Sequence, residues 1–252
     1  MNRIFNFSAG PCTLPLPALE EAHAEFLDYQ GKGMSIIEMS HRSPEYDAVH
    51  MEAMDLVRRL YGLPDNYKVL FLGGGATMQF AMVPLNLMGP GQSCDFTLTG
   101  AWAKKAYADA KKIGDVNLVF DGSGDNFMSL PDPHSLPVDP DAAYFHLTSN
   151  ETIGGVQWKD FPDTGGVPLV CDMSSDFVSR KIPVSRFGLI YAGAQKNAGP
   201  AGTSIVIIRE DLLERSPETL TAYMSYKTHA PVSYTHLRAH ETASFIAYAV
   251  FC

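Results

Sequence analysis

The run Gly188-Leu-Ile-Tyr-Ala-Gly-Ala-Gln-Lys196 is an apolar stretch that narrows to small residues and ends on a single amine. Unbroken apolar runs of this kind read as strands buried on both faces, because a strand with one wet face alternates polar and apolar residues. Six further runs share the character, at 68–72, 95–98, 117–120, 142–147, 168–171 and 203–208. Helical stretches at 77–87 and 101–112 lie between the first of them, and two more, 18–29 and 44–61, precede them all. Strands interleaved with helices predict an α/β fold, a mostly parallel seven-stranded sheet with helices on both faces. Sheets of this class bind ligands in the crevice at the carboxyl ends of their strands.

Local signals mark the boundaries. Ser43 is placed to cap the helix at 44–61, with Pro44 at its first position and Glu45 in its first turn. Gly31-Lys-Gly33 reads as a turn, and residues 131–140 as a Pro-rich surface loop. Residues 1–17, rich in Gly and Pro, form an extended arm ahead of one large domain at 18–230. The stretch 231–252 breaks the pattern. It ends on an apolar segment with nothing after it to cover it, resembles a translated sequencing adapter, and is expected to be foreign to the fold and disordered. His236 and His240 would share a helix face there, but no third ligand is near, so no metal is expected.

Composition excludes several function classes. A net charge of −9 with no basic stripe argues against nucleic-acid binding. No apolar run reaches transmembrane length, and the first residues carry no secretory apolar region, so neither a membrane span nor secretion is expected. Cys12, Cys94, Cys171 and Cys252 lack metal-site spacing and read as free thiols of a cytoplasmic protein.

The chemistry is concentrated at strand ends. Pro168-Leu-Val-Cys-Asp172 also closes on one charge, 24 residues before Lys196, room for a loop and one more strand. Neighbouring strands would then deliver an acid and an amine to one edge. Pyridoxal 5′-phosphate (PLP) chemistry asks for that pair, with Lys196 as Schiff-base lysine and Asp172 against the pyridine nitrogen. Taken singly, Lys196 could be a solvated strand-end lysine and Asp172 a cap. Gly73-Gly-Gly-Ala-Thr77 lies between a strand and a helix, where backbone amides can approach a phosphate. It matches neither the dinucleotide fingerprint nor a P-loop, and tight packing alone would also explain it. Trp102 opens a helix where its indole could stack on a planar ring or simply fill core. Thr152, in the loop after the run at 142–147, could bond a ring oxygen. A desulfurase would need a mobile reactive cysteine, and no cysteine sits on an obvious active-site loop. A Rossmann-like phosphate-binding domain without PLP would leave Lys196 and Asp172 as surface charges.

Four segments together are more specific: Phe5-Asn-Phe-Ser-Ala-Gly-Pro11, Ser40-His-Arg42, Asn150-Glu-Thr-Ile-Gly-Gly155 and Ile190-Tyr-Ala-Gly-Ala-Gln-Lys-Asn-Ala-Gly-Pro-Ala-Gly202. With them the chain resembles the phosphoserine aminotransferase family over residues 1–230. The resemblance implies a PLP-dependent homodimer that moves an amino group between O-phospho-L-serine and 2-oxoglutarate, and in the family also acts on 4-phosphohydroxy-L-threonine. It implies Lys196 and Asp172 as catalytic residues, and Trp102 stacked on the ring with Thr152 bonding its 3-oxygen. Ala76, Thr77 and Gln195 would hold the cofactor phosphate, and His41 and Arg42 would reach the substrate phosphate across a dimer interface. Family members continue into a small domain with no counterpart here, so a weak or inactive fragment is expected.

Overall fold

The computed structural model describes residues 3–230. Elements follow in order: α1 (Leu16–Glu25), α2 (Pro44–Tyr61), β1 (Tyr67–Gly73), α3 (Gly75–Leu87), β2 (Ser93–Leu98), α4 (Ala101–Ala110), β3 (Asp115–Asp121), β4 (Phe145–Thr148), β5 (Leu169–Asp172), β6 (Phe187–Gly193), α5 (Ala194–Asn197), β7 (Thr203–Arg209), α6 (Glu210–Leu213) and α7 (Tyr226–His229). The sheet order is β1-β7-β6-β5-β4-β2-β3. Four of its pairings are parallel, and β7 runs antiparallel to both β1 and β6.

Each predicted run became a strand, and in all but the edge strand β3 consecutive apolar residues supply both faces of the sheet. In β1, Val69 and Phe71 join one buried cluster with Val57 and Tyr61 of α2. Leu70 and Leu72 join another with Phe80 and Val83 of α3 and Ala106 of α4. The same alternation divides Leu169 and Cys171 from Val170 in β5, and Ile190 from Leu189 and Tyr191 in β6. Burying these side chains on both faces at about 25 cal/mol per Å² is the main force holding the layers together. Tyr67 adds a bond under the sheet, its hydroxyl donating to the Phe187 carbonyl at 2.6 Å.

Helix α2 ends as its sequence dictates. Ser43 Oγ accepts from Tyr46 N at 3.2 Å, and Gly62 closes the helix at φ 60°. The structure differs from the sequence reading in three places. The first helix stops at Glu25, not Tyr29, because Asp28 is extended and its carboxylate accepts from Gly33 N at 2.6 Å, folding 28–33 into a turn. Strand β3 lies at the sheet edge and is largely solvent-facing, not buried on both faces. The run at 142–147 pairs with β5 only from Phe145, although Ala143 N already bonds Ser93 O at 2.8 Å. Among the described residues no helix is long and apolar enough to cross a membrane, and no group of side chains is arranged to hold a metal. The expectations for 231–252, including His236, His240 and Cys252, lie outside the described residues.

Candidate functional site

Register brings the strand ends together. Thr148 pairs with Asp172, Asp172 with Tyr191, Ser204 with Gly193 and Thr203 with Gly73, so β4, β5, β6 and β1 all finish at one edge. At the β1 end the chain turns through Gly74 (φ 88°) and Gly75 (φ 61°) into α3. A side chain on Gly74 would be strained by its backbone, and its Cβ would come within 2.7 Å of Met78 Cβ. The turn points the first amides of α3, those of Ala76 and Thr77, out of the helix end, where four N–H groups have no intrahelical acceptor and the dipole favours an anion. Across from them, a Cβ on Gly193 would sit 3.3 Å from Ala76 N and 2.9 Å from Gln195 Oε1. Gln195 Oε1 is buried with no hydrogen-bond partner in the described structure.

The amine and the acid stand beside this cradle. Strand β6 ends at Gly193, and Lys196 lies on the single turn α5 rather than on the strand itself. Its Nζ donates to Thr152 Oγ1 at 2.5 Å and lies 4.4 Å from the centroid of the Trp102 ring. Desolvation lowers the proton affinity of Lys196, while the charges of Asp172 and Glu151 oppose that effect. Asp172 is buried, and its burial raises its pKa against bonds from Ser174 and the charge of Lys196, which lower it. Its Oδ1 accepts from Ser174 N at 2.9 Å and Ser174 Oγ at 2.6 Å.

Three neighbours escaped the sequence reading. Ser174 Oγ also accepts from Gly193 N at 2.9 Å, tying the ends of β5 and β6 together. The signal was available, since an Asp followed two residues later by Ser is a common side-chain turn. Glu151 is fully buried, accepting from the amides of Trp102 at 3.0 Å and Ala103 at 2.9 Å. Cys12, which the sequence did not connect with the site, donates its Sγ to the Lys196 carbonyl, and its amide bonds Gln195 O at 3.0 Å. The arm therefore lies on α5, and a Cβ on Gly10 would stand 3.2 Å from Lys196 Cγ. The other described cysteines are free and buried, and burial pushes Cys94 up to about 12.

His41 and Arg42 come from a different part of the chain, and among the described residues no hydrogen bond or ion pair joins Arg42 to this cluster. They sit in the corner before α2, His41 half-buried and Arg42 exposed, with Arg42 N bonding Ser40 Oγ at 3.2 Å. The ion pairs to Glu38 or Glu45 that a purely structural Arg42 would make are absent among the described residues. Glu45 pairs with Lys32 at 2.9 Å, and Glu38 accepts from Ser35 N at 2.9 Å.

The comparisons with known proteins agree with this geometry. The aminotransferase class-V family model matches residues 4–239. The phosphoserine aminotransferase of Niallia circulans is 53% identical over 227 residues, which make up 90% of this chain and 63% of that protein. The chain thus spans less than two thirds of the length of that curated relative. The solved phosphoserine aminotransferase from Bacillus circulans subsp. alkalophilus superposes with a TM-score of 0.93 at 48% identity, over 98% of this chain and 69% of that one. A PLP-bound phosphoserine aminotransferase from Trichomonas vaginalis superposes with a TM-score of 0.90 at 38% identity, over 99% and 74% of the two chains. With a matched model, a shared fold and this level of identity, the chain belongs to the class-V aminotransferases and, within them, to the phosphoserine aminotransferase family.

Proposed function

We propose that this chain carries the PLP site of a phosphoserine transaminase, exchanging an amino group between O-phospho-L-serine and 2-oxoglutarate to give 3-phosphohydroxypyruvate and L-glutamate. The observation that carries the reading is the convergence of Asp172, at the end of β5, and Lys196, one turn past the end of the parallel neighbour β6, with the Trp102 ring 4.4 Å from the amine. The residues present fit the cofactor. A phosphate dianion suits the first-turn amides of Ala76 and Thr77, and Gln195, whose side-chain NH2 could donate to it, lies beside them. The indole face of Trp102 suits a planar ring, and its buried Nε1 lacks a partner.

When bound, PLP supplies an electron sink for the carbon that carries the substrate's amine. Lys196 would hold the cofactor and then, released by the incoming amino acid, take the proton from the substrate α carbon. Desolvation suits it to that work, since a lysine with lowered proton affinity is more often neutral and so free to accept a proton. Asp172 would keep the ring nitrogen protonated, which a buried carboxylate does strongly because little water screens it. Thr152 would bond the ring's 3-oxygen. His41 and Arg42 would recognise the substrate phosphate, a guanidinium meeting it through two parallel bonds. The resemblance further supports a homodimer with shared active sites, action on 4-phosphohydroxy-L-threonine, and roles in serine and pyridoxine biosynthesis in the cytoplasm.

Borohydride reduction of the cofactor-loaded protein, followed by peptide mapping, tests the assignment. The pyridoxyl label is expected on Lys196. Label on Lys159 or Lys181 instead would overturn it.

A further inference from the structure

Helix α4 begins without a capping side chain of its own, since its N-cap is Gly100. The missing oxygen comes from 49 residues away: Glu151 Oε2 accepts from Trp102 N and Oε1 from Ala103 N. A fully buried carboxylate is costly unless its charge is met by donors, and here two amides and the positive helix end meet it. Gly100 and Glu151 are matched. A Cβ on Gly100 would lie 2.5 Å from Glu151 Cδ and 2.7 Å from its Oε2, so a side chain at 100 would expel the carboxylate from its seat.

This seat lies between two groups that touch the Lys196 amine. Trp102, whose amide Glu151 binds, presents its ring 4.4 Å from Nζ, and the adjoining residue Thr152 accepts from Nζ at 2.5 Å. The loop itself is closed by Gly155 N bonding Glu151 O at 2.7 Å and Glu151 N bonding Val156 O at 2.9 Å. We propose that Glu151 is a positioning residue: its carboxylate clamps the first turn of α4 to the loop after β4, and so holds the Trp102 ring and the Thr152 hydroxyl together against the Lys196 amine. The role rests on the proposed transaminase site but acts on this chain before any cofactor binds.

Glu151 also faces Lys196 electrostatically. The charges around that amine are Asp172 at the end of β5 and Glu151 in the loop, which favour its proton, and Lys105 of α4, which disfavours it. From the arm, Gly10 and the backbone of Cys12 add no charge. Neutralising Glu151 therefore removes one of the two influences that hold a proton on Lys196.

The test uses the full cofactor-free chain labelled with 5-fluorotryptophan. The chain has two tryptophans, and Trp158, whose ring is buried in the opposite core cluster at the base of the same loop, reports on whether that core survives, with far-UV circular dichroism checking the overall fold. Glu151→Gln is expected to shift and broaden the Trp102 fluorine resonance while that of Trp158 stays. The same change should lower the midpoint pH for reductive methylation of Lys196, because a charge that favours its proton is removed. Glu151→Asp, which keeps the charge on a shorter arm, should restore the midpoint but leave Trp102 displaced. Gly100→Ala, which keeps Glu151 and only crowds it, should displace Trp102 as well. An unmoved Trp102 in folded Glu151→Gln or Gly100→Ala would overturn the proposal. So would the joint loss of both tryptophan resonances in the two variants, which would make Glu151 a determinant of folding alone. Because no cofactor enters these measurements, they stand or fall separately from the borohydride mapping.

Discussion

Lys196 and Arg42 are both cations that the sequence assigns to one site, yet the fold treats them oppositely. Lys196 is half-buried at the carboxyl edge of the sheet, with Thr152, Trp102 and Asp172 around it. Arg42 lies exposed in the corner at 35–43, and among the described residues only its backbone amide makes a hydrogen bond there. The difference is one of solvation. Strand ends packed against neighbouring strands exclude water, and a desolvated amine becomes a proton carrier. A guanidinium on a hydrated corner keeps its charge and would suit recognition, where charge and fork geometry matter more than proton affinity.

The sharpest way to break the comparison is to remove the buried cation. Lys196→Ala is expected to abolish covalent cofactor attachment and to lower turnover by at least ~10³-fold, in line with the loss of a positioned acid–base group. Attachment surviving in that variant, read from the absorbance of the loaded protein, would dissolve the contrast. Asp172→Asn comes next. It keeps an oxygen to accept from Ser174 but loses the charge, so some cofactor binding remains while half-transamination slows by ~10²-fold. A rate within threefold of the parent would remove Asp172 from the buried half of the comparison.

The interior under the site gives a stability test. His146 of β4 is buried, stacked on Phe96 with ring centroids 4.3 Å apart, and its Nε2 bonds the Tyr191 hydroxyl at 2.9 Å. Burial lowers its pKa from 6.5 to about 3. Between those values the unfolded chain binds the proton and the folded one does not, so stability falls as pH drops from 6.5 toward 3. The limiting slope is about 1.4 kcal/mol per pH unit, and a few kcal/mol are at stake by pH 4. Denaturant midpoints should follow this slope, and His146→Gln should flatten it. An unchanged slope would place the acid sensitivity elsewhere.

The smallest effect belongs to the exposed cation. In a chain of the relatives' full length, Arg42→Ala should raise KM for phosphoserine about tenfold, roughly 1.4 kcal/mol of binding, and change KM for glutamate much less. Equal effects on both substrates would mean that the corner does not read phosphate.

Much of the fold was legible because its signals are local. Seven apolar runs, the Ser43 cap and the glycine turn into α3 are each written within a few residues, and each formed an element where expected. The exceptions have local causes too, as with the Asp28 turn that ends α1 early. Of the proposed site, the strand-end acid and amine and the glycine turn were legible as a local pattern. Ser174, Glu151 and Cys12 were not, since their importance depends on what the fold places beside them.

By itself, then, the sequence determined the alternating elements, the two-sided burial of every strand but the edge strand β3, and an acid and an amine at or just past the ends of successive ones. Only tertiary structure decided that β7 runs backwards between β1 and β6, so that Gly73 and Gly193 finish at the same edge and Ala76 N faces Gln195. Only tertiary structure seated Glu151 in the space left by Gly100, and laid Cys12 on Lys196 from 184 residues away. The physical reason is range. Periodicity and capping are energies shared by neighbours in the chain, whereas the filling of a glycine's vacancy or the meeting of a buried charge is settled between segments that only the packed core brings into contact.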